Sequence, residues 1–104
     1  MIKERNFEGF RIYDIDSNGD NYQSFKMSIE YLSSKEIVNS NYSGGFDSER
    51  LNFQYLGITF ELTYSGFFGT ELKVSDSLSD SEFSKVRQLA EEIYNQILNN
   101  ESWN

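Results

Sequence analysis

Between Leu51 and Val74 the chain alternates large apolar and polar residues in three runs, separated only by short glycine-containing breaks. Leu51, Phe53 and Tyr55 form the first run, Ile58, Phe60, Leu62 and Tyr64 the second, Leu72 and Val74 the third. Alternation with a period of two marks strands with one buried and one wet face. The breaks, Gly57 and the Ser-Gly-Phe-Phe-Gly stretch at 65–69, are too short for the crossover a parallel pair requires, so neighbouring strands must be antiparallel. Gly57 predicts a bulge or sharp bend, and residues 65–69 predict a hairpin connection.

Further strands are expected before this meander. Residues 7–15 place Phe10 and Ile12 on one side and Tyr13 and Ile15 on the other. Residues 25–31 alternate cleanly, with Phe25, Met27, Ile29 and Tyr31 opposed to Lys26, Ser28 and Glu30, which predicts a half-buried strand. Residues 35–38 continue it or add a short strand. From 39 to 49 the composition turns polar and glycine-containing, the mark of an exposed loop.

A helix closes the chain. Ser79 and Glu82 have capping-box spacing, with Leu78 and Phe83 placed as a hydrophobic staple. Phe83, Val86, Ala90, Ile93 and Ile97 then recur at three- and four-residue steps, an apolar stripe for one sheet face. Asp80 and Glu82 near the start suit the helix dipole. The expected fold is therefore α+β: a twisted antiparallel β-sheet of four to six strands with one C-terminal α-helix packed on one face. The 104 residues suit a single domain over 1–104. Aromatic residues make up 16% of the chain, a richness that belongs to a folded core and not to a disordered segment.

Composition narrows the chemistry. Cysteine and histidine are both absent, which removes disulfides, thiolate nucleophiles, the commonest general acid–base and the usual zinc ligands. No enzyme activity and no cofactor are expected. The lack of cysteine tilts the compartment toward the cytoplasm. The amino-terminal residues carry charge with no apolar run behind them, unlike a signal peptide, and no stretch is long and apolar enough for a membrane helix.

Seventeen acidic against nine basic residues give a net charge of −8. Such a chain is repelled by phosphate backbones, so direct nucleic-acid binding is disfavoured. A basic protein partner is favoured by charge complementarity, although an acidic surface also serves solubility alone.

Three loops are candidate sites. Residues 14–20, Asp-Ile-Asp-Ser-Asn-Gly-Asp, match the first half of a calcium-binding EF-hand loop. The match fails at its twelfth position, where Phe25 replaces the bidentate glutamate, and both flanks read as strands. A β-hairpin turn through Asn18-Gly19 explains the same residues. No metal is therefore expected, and Asp14, Asp16 and Asp20 would gather at one tip facing a basic partner. Residues 42–49 combine Tyr42, Phe46, Asp47 and Glu49 around Gly44-Gly45. They lack the lysine and following helix of a phosphate loop, and they share the aromatic-rich composition of interfaces; ordinary loop packing is the competing reading. In the third loop, Phe67 and Phe68 lie between glycines. Both cannot easily face one core: either one is exposed, as a contact for a partner or for a second copy in a homodimer, or both are inserted into the core around a bulge. Glu61 and Glu71 lie on facing strands and read as solvated.

This whole-chain layout, with acidic-aromatic loops at 14–20, 42–49 and 65–70, resembles the small immunity proteins of bacterial contact-dependent inhibition and other polymorphic toxin systems. The resemblance is one of class and carries no shared motif. It implies a tight complex with one cognate toxin, commonly a basic nuclease domain, whose active site is covered by acidic and aromatic side chains. The alternatives are a structural or assembly protein acting through homo-oligomerisation and, third, a calcium-binding loop protein.

Overall fold

The computed structural model describes residues 2–45 and 48–101. Six strands and two helices run in the order β1 (Lys3–Phe7), β2 (Phe10–Asp16), α1 (Tyr22–Ser33), β3 (Val38–Gly44), β4 (Ser48–Tyr55), β5 (Ile58–Ser65), β6 (Gly69–Ser75) and α2 (Asp80–Glu101). The strands form one antiparallel sheet in the order β1-β2-β6-β5-β4-β3. Both helices lie on one face, α2 over β2 and α1 over β5 and β6. The fold is α+β, as the alternating runs and the capped terminal helix require.

The meander from β4 to β6 pairs as its pattern dictates, with Leu51, Leu62 and Leu72 in successive register. Phe53 and Phe60 face each other across β4 and β5 and stack with ring centroids 5.0 Å apart. In α2, the Ser79 amide donates to Glu82 Oε1 at 2.9 Å and the Glu82 amide donates to Ser79 Oγ at 3.2 Å, the reciprocal bonds of a capping box. Its stripe of Phe83, Val86, Ala90, Ile93 and Ile97 is buried, joined by Leu89.

The stretch expected as a strand over residues 25–31 is instead the body of α1. Its buried face is Ser24, Phe25, Ser28 and Leu32, spaced by three and four as a helix requires. Two of those positions are serine, so the large apolar residues alone trace a false alternation. Both hydroxyls are satisfied locally: Ser28 Oγ donates to the Ser24 carbonyl at 2.7 Å, and Ser24 Oγ donates to Asp16 Oδ2. Met27, Ile29 and Tyr31 pack partly buried at the flanks of the helix.

Residues 39–44, expected as part of a loop, belong with Val38 to edge strand β3, and the chain returns through β4 as a hairpin closed by the Gly45 amide on the Ser48 carbonyl at 2.7 Å. The strand expected over 7–15 is split by a turn at Glu8-Gly9, so Phe7 belongs to β1 and pairs with Phe10. Gly57 marks a two-residue hairpin rather than a bulge. Tyr55 pairs with Ile58, and Leu56 and Gly57 take φ of 54° and 76°, the left-handed pair that a tight hairpin turn demands. Leucine is poorly suited to that backbone. Leu56→Asn is expected to raise stability by about 0.5–1 kcal/mol, seen as a higher urea midpoint at unchanged slope; an unchanged midpoint would count against the turn.

Among the described residues the sheet's other face carries no helix, and it is crossed by charge pairs. Arg5 on β1 reaches Asp14 on β2 at 2.6 Å and Glu71 on β6, while Glu61 on β5 lies between Lys73 and Arg50 at 3.9 and 3.7 Å. Glu71, read from sequence as solvated, is only 5% exposed, closed off by this Arg5 contact from a strand distant in sequence. Among the described residues, ion pairs hold five of the nine basic residues: Arg5, Lys35, Arg50, Lys73 and Arg87. The acidic excess is thereby left to other parts of the surface. Among the described residues no helix is long and apolar enough to cross a membrane.

Candidate binding surface

Sheet register brings the three loops together. β2 ends at Asp16, β6 begins at Gly69, β5 ends at Ser65, β4 begins at Ser48 and β3 ends at Gly44. Since β2, β6, β5, β4 and β3 are successive neighbours, the β2–α1 loop, the β5–β6 turn and the β3–β4 hairpin all emerge at one end of the sheet. None of residues 16–22, 42–49 or 64–70 is lysine or arginine. This end is therefore acidic and aromatic in composition.

Residues 16–20 are not a hairpin turn, because they lead into α1 and not into a strand. Asp16 ties the loop to the helix: its Oδ1 accepts from the Asn18 amide at 3.0 Å, and its Oδ2 accepts from Asn21 Nδ2 at 2.9 Å and from Ser24 Oγ. Asn18 Oδ1 in turn accepts from the Asp20 amide at 3.0 Å. Side chains of this kind cap turns and helix starts through local backbone donors. The three carboxylates are consequently dispersed. Asp14 faces the helix-free side of the sheet and pairs with Arg5, Asp16 is engaged at the start of α1, and Asp20 is exposed at the loop. Only Asp20 keeps the outward position expected of all three.

Two backbone contacts hold this loop against the β5–β6 turn. A side-chain carbon on Gly19 would sit 1.8 Å from the Gly66 carbonyl oxygen, and one on Gly69 would sit 2.0 Å from that of Asp16. Gly69 also takes φ of 70°. Tyr64 Oη donates to the Gly19 carbonyl at 2.5 Å, and the Phe68 amide donates to Ser65 Oγ at 3.1 Å. On this anchored turn Phe67 and Phe68 are 86% and 60% exposed. Both rings, not one, face outward.

Tyr42 and Glu49 meet on the helix side of the β3–β4 hairpin, where Tyr22 at the start of α1 joins them. Tyr22 Oη donates to Glu49 Oε1 at 2.9 Å, and Tyr42 Oη donates to the same oxygen. Tyr22 also packs edge-on against Tyr64, with centroids 5.1 Å apart. Phe46 and Asp47, expected beside them, lie outside the described residues. Tyr22 escapes sequence reasoning because its position depends on α1, which the alternation of residues 25–31 conceals.

Hydrogen bonding to the Glu49 carboxylate favours the neutral phenols. It raises the Tyr22 pKa and pushes that of Tyr42 up to about 12. Any stability this contact contributes is fully present below about pH 10, the ordinary tyrosine value, and is lost as pH rises through about 12. In Glu49→Gln, the Tyr42 ionisation followed by tyrosinate absorbance is expected to fall from about 12 toward about 10. An unchanged titration would rule out the contact.

Between α1 and the β3–β4 side of the sheet runs an open groove of about 700 Å³, lined in part by Tyr22, Met27, Ile29, Tyr42 and Leu51. Lys26 and Glu30 also border it, and their charges cancel. The helical layer stops short of β3, whose residues are all exposed. Comparison with family models, curated proteins and solved structures returned no match. The surface is therefore defined by its own geometry.

Proposed function

We propose that this chain is a protein-binding inhibitor of a basic partner, an immunity protein that neutralises a cognate toxin by covering its active site. The observation that carries this reading is the assembly, at one end of the sheet, of three loops without lysine or arginine that expose Phe67, Phe68 and Tyr42 beside Asp20 and Glu49. Adjacent solvent-exposed aromatics on an anchored turn cost apolar hydration with no return in the monomer. They are the residue types that contribute most to affinity once a partner buries them. The surrounding carboxylates would steer a basic surface into register and stand where phosphates bind on a nuclease.

The test is capture of the partner from the source cells by tagged chain, at low and moderate salt, followed by reconstitution with the purified partner. A basic protein is expected to bind in stoichiometric amount and lose its activity at one-to-one mixing. Its association rate is expected to fall about tenfold or more as salt rises toward physiological strength. Salt-independent association, or a bound partner that keeps its activity, would refute the reading.

A further inference from the structure

The two edges of the sheet are guarded differently. β1 carries Lys3, Glu4 and Arg5, the kind of charged residues that keep an exposed strand from pairing with another chain. β3, Val-Asn-Ser-Asn-Tyr-Ser-Gly, has no charge and is exposed along its whole length. Its first part is irregular: register shifts between Val38 and Asn41, and Asn39 sits at φ 53°. From Asn41 to Gly44 pairing with β4 is regular. As the last strand of the sheet, this stretch presents outward-facing backbone N–H and C=O groups in strand geometry.

Along the same edge, on the helix side, lies the apolar groove bordered by Tyr22, Met27, Ile29 and Tyr42 with Leu51. A strand laid on β3 would send every second side chain to that face, beside Tyr42 and the mouth of the groove. At the far end of β3 it would meet Glu49, which pairs with Gly44. The edge thus joins a backbone template to an apolar slot and an acidic rim.

We propose that β3 is a docking edge for an extended segment of the protein partner, added as a further strand. The segment has apolar side chains at alternate positions, for the groove, and lysine or arginine where it reaches Glu49 across Gly44. This rests on the binding reading above and specifies how the partner is held. A second copy of the chain fits poorly. Its own β3 offers only Val38 and Tyr42 as large apolar side chains, leaving the groove underfilled, and it would bring a second net charge of −8 to the interface.

The experiment pans the intact chain against a random peptide library and resynthesises the enriched peptides. Enriched sequences are expected to alternate apolar and polar residues with a basic end. Methylating alternate backbone nitrogens of the peptide, which leaves the protein untouched, is expected to weaken binding at least about tenfold. Because Gly45 bonds Ser48 and bonded pairs alternate along the β3–β4 ladder, the outward N–H groups are those of Tyr42 and Gly44. Bound peptide should slow amide exchange at these two residues, and Gly44→Pro should abolish binding while circular dichroism confirms the fold. Four outcomes would overturn the proposal: no enrichment, indifference to methylation, protection confined to residues 66–68, or a chain that sediments as a dimer with the Tyr42 and Gly44 amides already protected. In the last case a second copy occupies the edge. A natural partner that still binds and is inhibited after Gly44→Pro would sink strand docking alone, leaving the inhibitor reading intact.

Discussion

Gly69→Ala is expected to destabilise the protein by about 3–5 kcal/mol, and Gly19→Ala by a similar amount. For Gly69 two costs add. Its φ of 70° is unfavourable for alanine by about 1–2 kcal/mol. In addition, the new methyl would lie 2.0 Å from the Asp16 carbonyl oxygen and 2.9 Å from the Ser17 carbonyl carbon. Gly19 has no such backbone requirement, yet its methyl would overlap the Gly66 carbonyl at 1.8 Å. Neither clash can be relieved by turning a side chain, because the opposing atoms are backbone. Losses of this size are a large part of the roughly 5–15 kcal/mol that hold a typical domain together. Gly66→Ala is the control, since a methyl there meets nothing within 4 Å, and its effect should stay within about 0.5 kcal/mol. Urea denaturation of the three variants decides the matter. Equal midpoints would mean that the β2–α1 loop and the β5–β6 turn are not packed as described.

The second large effect concerns binding alone. Phe67→Ser with Phe68→Ser removes two rings that are 86% and 60% exposed, so the thermal midpoint should barely move. If the chain is the inhibitor proposed above, its affinity for the proposed basic partner is expected to fall at least about a hundredfold, the scale at which buried aromatic anchors operate in interfaces. Asp20→Lys on the same rim should act differently, slowing association and flattening its salt dependence with little change in dissociation. Titration calorimetry and stopped-flow mixing separate the two. Wild-type affinity in the double variant would remove the β5–β6 turn from the interface.

The candidate surface was only partly legible in the residues. The acidic-aromatic character of residues 14–20, 42–49 and 65–70 is a matter of composition and can be read directly. Their adjacency is not, because it arises from the strand order β2-β6-β5-β4-β3, in which β2 and β6 pair across more than half the chain. Asp14, Asp16 and Asp20 look like one acidic tip because they are close in sequence. A strand register that turns Asp14 toward Arg5, and a helix that recruits Asp16 through Ser24 and Asn21, separate them. Gly19 illustrates the same difficulty: an Asn-Gly pair suggests a left-handed turn, whereas this glycine is required for close approach to Gly66.

What the sequence determined by itself is the part of the fold whose signals are local. Alternation in β4, β5 and β6, breaks too short for a crossover, and a capped helix with an unbroken apolar stripe each name their own conformation, because large side chains there mark the buried side. Tertiary structure decided the rest. Ser24 and Ser28 lie inside only because a helix pressed against the sheet gives their hydroxyls partners, so α1 could not be told from a strand by its large residues. β3 exists because β4 offers it an edge; its polar residues carry no burial pattern to announce a strand. The juxtaposition of Phe67, Phe68, Tyr42, Tyr22 and Glu49 is likewise a product of pairing between distant segments, where backbone geometry and not local preference sets which side chains meet.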